Sequence, residues 1–154
     1  MLIRSLTLAL FAFALLACGG EPASDAKFSA EEIETQAKAW SSMMEGHDIV
    51  MPLMKPMYKA SKELELLRDA AMVESTDFHP RAQETLKAIA AAEDGMMNWM
   101  TGIRDSPLDS VRARYADHAA VMSFIDSEKE KIDAVAEEMK SSLATAKALI
   151  AERE

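Results

Sequence analysis

VRARYADHAAVMSFIDSEKEKIDAVAEEMKSSLATAKALI, residues 111–150, decides the fold. Val111, Tyr115, His118, Met122, Ile125, Lys129, Ile132, Ala136, Met139, Leu143, Ala146 and Ile150 recur at alternating spacings of four and three. An α-helix brings such positions onto one face, and a period of 3.5 residues is that of left-handed, coiled-coil-like packing. The stretch therefore predicts one long helix with a continuous apolar seam.

Two further helices precede it. In FSAEE (28–32), Ser29 with Glu32 three residues later forms a capping box that starts helix 1. Its seam runs through Ile33, Gln36, Trp40, Met43, His47, Val50, Met54, Met57, Ser61 and Leu64. Pro52 and Pro56 interrupt it, each lacking the amide donor and crowding the carbonyl four residues back. TDFHP (76–80) reads as a turn, with Thr76 or Asp77 as cap and Pro80 in the first helical position. Helix 2 carries Ala82, Leu86, Ile89, Glu93, Met96, Met100 and Ile103 and ends at DSPLDS (105–110), where Asp109 caps the next helix. The expected fold is all-α: an antiparallel bundle of three long helices with coiled-coil-like packing, helix 1 kinked at Pro52 and Pro56. Helix 2 is shorter than its neighbours. Three solutions are open: an irregular connection over Arg104–Tyr115 that shifts helix 3 back beside helix 1, a helix 1 folded on itself at the prolines, or dimerisation over the overhangs.

The first residues give the location. MLIRSLTLALFAFALLACGG (1–20) has one positive charge, Arg4, then an apolar run too short for a comfortable membrane span, then small residues. That is the pattern of a secretory signal. Leu15-Leu16-Ala17-Cys18 has the form of a bacterial lipobox, in which the cysteine is lipidated and becomes the new N-terminus. The organisation expected is a signal peptide over 1–17, a lipidated Cys18 with a flexible tether to residue 28, and a single helical domain over 29–154. Cys18 is the sole cysteine, so no disulfide forms within one chain. The chain is then held to the membrane by its lipid and faces the periplasm. The absence of an Asp after Cys18 leans toward the outer membrane rather than the inner. Removing Arg4 takes the net charge from −9 to −10, which repels phosphate backbones and excludes nucleic acid as a partner.

Within MMEGHDIVMPLM (43–54), Met43, His47, Met51 and Met54 fall in a helical arc of roughly 80°. MMNWM (96–100) adds Met97 and Met100, which tight antiparallel pairing brings level with the first group. Thioether and imidazole donors suit Cu(I), and methionine needs no deprotonation and forms no disulfide in an oxidising compartment. The candidate metal ligands are His47, Met43, Met51, Met54, Met97 and Met100, with Cu(I) as the ion. The competing reading is a pliable methionine core in a structural or interaction module of the envelope, docking an envelope protein or a second copy. Glu93, His118 and Lys129 also fall on the seams and need partners. Equal heights predict a Glu93–His118 pair, and Lys129 pairs with Glu84 or a terminal charge, or snorkels. No HExxH, phosphate loop, nucleophile elbow or credible Ser–His–Asp set is present, so an enzyme is not expected.

HDIVMP (47–52), AAEDGMMNWM (91–100) and KEKIDAVAEEMKSSLATAKALI (129–150) carry a resemblance. Together with the lipobox they resemble a family of small bacterial lipoproteins labelled "viral A-type inclusion protein". The resemblance spans most of Trp40–Ile150. It implies a helical, membrane-tethered periplasmic protein and carries over no catalytic residue. Gly95 departs from that pattern where a helix former is expected.

Overall fold

The capping box closes as the sequence predicts. The Ser29 hydroxyl accepts from the Glu32 amide, and the Glu32 carboxylate accepts from the Ser29 amide at 2.8 Å, starting α1 (Ala30–Val50). The Ser29 hydroxyl also donates to that carboxylate at 3.0 Å, and the two bonds it accepts from Ser29, the backbone one first, hold the Glu32 carboxyl below its ordinary value. The structure, a computed structural model, describes residues 27–72 and 77–153. The expected signal, Cys18, the tether as far as residue 26 and the Thr76 cap lie outside these residues. Phe28, expected to end the tether, is instead buried in the core, and Lys27 Nζ donates to the carbonyls of Arg112 and Ala113.

A single 3-10 turn, Met51–Leu53, follows α1, and α2 (Met54–Ala71) continues from it. Pro52 sits within that turn and has no amide to offer the Asp48 carbonyl, so the α-helical ladder breaks there. Pro56 lies in the first turn of α2, where helix amides lack intrahelical partners in any case. The interruption falls at Pro52, four residues before Pro56.

α3 (Phe78–Arg104) begins two residues before Pro80, with Asp77 at the cap position but without a side-chain cap bond. Its buried face is Phe78, Ala82, Thr85, Ile89, Ala92, Met96, Trp99 and Ile103. Ala82, Ile89, Met96 and Ile103 are as expected. Between them the seam passes through Thr85, Ala92 and Trp99, each one residue before the expected Leu86, Glu93 and Met100. The small side chains have a reason to be there. A Cβ on Gly95 would lie 3.3 Å from Val135 Cγ2, so the two helices approach closely along this face.

The helix expected to run unbroken through Tyr115 is two helices. α4 (Leu108–Arg114) follows Pro107, which holds the cap position assigned above to Asp109. Tyr115 is extended at φ −92°, ψ 145°. Asp117 then caps α5 (His118–Ala151), its carboxylate accepting from the Ala120 amide at 2.9 Å. The connection between α3 and α5, which contains α4, sets the start of α5 beside α1.

The fold is all-α among the described residues, with the helices packed on one another: α5 against α1, α2 and α3, and α2 against α3. Gln36 meets His118, Gly46 meets Ile132 and Asp133, Arg68 meets Gln83, and Arg81 meets Glu152. The core is continuous, and Met43, Met57, Leu64, Ile89, Met96, Ile125, Ile132 and Met139 are its largest fully buried side chains. No described helix is long and apolar enough to cross a membrane.

Candidate metal centre

His47 lies in the last turn of α1, where the helix dipole presents its negative end. Its side chain is 15% exposed. Nδ1 lies 2.9 Å from Asp48 Oδ1. An ionised carboxylate only accepts, so Nδ1 carries the proton, and in the neutral ring Nε2 is a bare lone pair. Nε2 is buried and has no hydrogen-bond partner among the described residues. A buried acceptor left unmatched costs about 1–3 kcal/mol, so its persistence calls for a reason. A carboxylate on one imidazole nitrogen fixing the tautomer, with the other nitrogen open, is the arrangement that metal-binding histidines use.

The other side of the ring is covered by Trp99 of α3. The two rings stack with centroids 5.5 Å apart and planes inclined by 24°. Trp99 is buried, and its indole N–H donates to the Glu128 carbonyl of α5 at 3.0 Å, which fixes the ring from a third helix. Trp99 was missed by the sequence reading. Leu86 and Met100 drew the seam one residue away from it, although Trp99 stands three residues after Met96 and four before Ile103, on the same period.

The methionines divide. Met43, one helical turn before His47, is fully buried. Met51 opens the 3-10 turn and Met54 opens α2; both are half-buried against the core, as is Met100 beside Trp99. Met97 does not turn inward. It is 52% exposed, because the α3 seam runs through Met96 and Trp99 on either side of it. Four thioethers thus line or flank the core, on α1, the 3-10 turn, α2 and α3, and the fifth faces solvent.

Among the described residues no three His, Cys, Asp or Glu side chains come together as a metal site. The expected Glu93–His118 pair does not form. α5 starts at His118, at the level of Gln36, and His118 Nδ1 instead lies 3.1 Å from Gln36 Nε2. Glu93 remains without that partner, and burial, followed by the Asp94 charge, pushes its carboxyl above the usual range. Lys129 pairs with Asp133 on its own helix at 2.6 Å, not with Glu84.

No protein-family model, curated protein or solved structure matches the chain.

Proposed function

We propose that this protein is a lipid-anchored, non-enzymatic lipoprotein of the bacterial envelope that faces the periplasm and binds a soft metal ion, Cu(I), at His47. The lipobox at Cys18 and the resemblance to the lipoprotein family support the location, and the missing Asp after Cys18 favours the outer membrane. The helices are read as an antiparallel bundle of three long rods with coiled-coil-like packing. α1 and α2 form one rod kinked at Pro52, and α3 and α5 form the others. Cross-helix pairs that climb in opposite order along neighbouring rods, Arg68 with Gln83 and His47 with Trp99, support that topology.

One observation carries the metal reading: His47 Nε2 is buried and unpartnered while Asp48 holds the proton on Nδ1. His47 supplies the anchoring nitrogen. Met43, Met51, Met54 and Met100 supply thioether sulfur, and Met97 stands outside the set. These donors bring no negative charge and need no deprotonation, which matches the chemistry of Cu(I). The test is anaerobic loading of the purified protein with Cu(I) against a competing chromophoric chelator. Copper is retained by the wild type and by Met97→Ala and is lost from His47→Ala. No retained copper, or retention indifferent to His47→Ala, overturns the reading and leaves the methionines as core.

A further inference from the structure

We infer that the face of Trp99 forms one wall of this site and restricts it to a monovalent soft cation. The inference rests on the Cu(I) reading of His47 and adds to it the residue that sets ion charge.

An ion on Nε2 lies in the imidazole plane, about 2 Å from the nitrogen. The indole plane is inclined to that plane by 24°, so Trp99 turns its π face, not its edge, toward His47. The hydrogen bond from Nε1 to the Glu128 carbonyl locks that orientation. Were Trp99 only core filler, any apolar ring of similar volume would serve, and Nε2 would still be a buried acceptor with no partner among the described residues. A cation satisfies both groups. It takes the Nε2 lone pair and is attracted by the negative face of the indole, the strongest aromatic face for this purpose.

Charge selection follows from acids that are already engaged elsewhere. Asp48 is engaged at Nδ1, Glu128 binds Lys131 with its carboxylate, and Asp133 binds Lys129. No cluster of His, Cys, Asp or Glu stands ready among the described residues to neutralise a second charge. The cost of taking an ion out of water rises with the square of its charge, and neutral imidazole, thioether and π donors offset it for a monovalent ion far better than for a divalent one. The C-terminal end of α1 adds a partial negative charge, enough to favour a cation without matching a dication.

Trp99 and Trp40 are the only tryptophans, so a Trp40→Phe protein reports on Trp99 alone. The full chain, purified in detergent, is titrated with Ag(I) as a redox-inert probe and with anaerobic Cu(I), and metal bound is measured in parallel. Trp99 emission falls, and a red-shifted indole absorption band grows, in step with occupancy. Zn(II) produces neither and does not displace Ag(I). Trp99→Phe weakens binding moderately and Trp99→Leu by about tenfold or more, with helix content checked by circular dichroism. Binding that needs His47 but leaves the Trp99 signals unmoved overturns this inference while the Cu(I) reading stands. Displacement of Ag(I) by Zn(II) overturns the charge restriction. No binding of either monovalent ion overturns the Cu(I) reading and this inference with it.

Discussion

The buried amide of Gln36 donates to Nδ1 of His118 across 3.1 Å, and not the reverse. The direction is set one step away. Arg112 has only donors, and its Nε gives a hydrogen bond to Gln36 Oε1 at 2.8 Å, so the amide nitrogen is the atom turned to His118. His118 therefore keeps Nδ1 free of a proton.

That chain of donors is open to test. In the wild type, imidazole nitrogen shifts read by NMR place the His118 proton on Nε2. Gln36→Glu, which offers only acceptors, moves a proton onto Nδ1. Gln36→Leu strands both the Arg112 donor and the His118 acceptor and costs about 1–3 kcal/mol in chemical denaturation. An unchanged His118 tautomer in Gln36→Glu contradicts the assigned direction.

Glu93 predicts a pH dependence of stability. Its carboxyl is raised in the folded chain by burial and then by Asp94. A raised acid contributes stability that is fully present below the unfolded value and is lost as pH rises through the folded one. Glu93→Gln is therefore more thermostable than wild type at pH 7. The gap closes on acidification below about pH 4, where both side chains are neutral. Melting curves at the two pH values measure it.

Two glycines in α3 separate propensity from packing. A Cβ on Gly102 meets nothing within 4 Å, so Gly102→Ala stabilises by about 0.5–1 kcal/mol. Gly95→Ala carries the same helical advantage against a contact of 3.3 Å with Val135, so it gains less. Gly95→Leu forces α3 and α5 apart and destabilises by about 1–3 kcal/mol. Equal effects of alanine at both positions contradict the close approach.

The methionines are not interchangeable for stability. Met43 is fully buried, and Met43→Ala costs about 2–5 kcal/mol. Met97 is half-exposed, and Met97→Ala stays within about 0.5 kcal/mol. Mild peroxide treatment followed by mass spectrometry oxidises Met97 well before Met43 or Met96.

Periodicity made the helices legible because burial repeats every three and four residues whatever the partner. It located Ser29, the break near Pro52, and every second buried position of α3. It failed where identity and position disagreed. Leu86 and Met100 are large and apolar but flank the interface, whereas Thr85 and Ala92 are buried because close helices admit only small groups there. The series from Val111 through Tyr115 runs on by coincidence across a helix break, since Val111 and Tyr115 pack against the same core from outside α5. Asp117 was the available sign, an acid at a cap position before Ala119 and Ala120. His47 was read from spacing alone. Its companion Trp99 required knowing which neighbour faces it, and that depends on the register between α1 and α3.

Lys27, bonded to the carbonyls that end α4, fixes the end of the molecule from which the chain departs. On the proposed anchorage, the nine residues from Cys18 to Lys27 reach at most about 30 Å. His47 lies about 25 Å further along α1. The proposed ion site then reaches at most about 55 Å above the bilayer, past the ~8 Å over which headgroup charge is felt in physiological salt. On that reading, a molecule that gives an ion to His47 or takes one from it would meet the site anywhere within that reach, and at full extension it would do so beyond the ions enriched on the lipid surface.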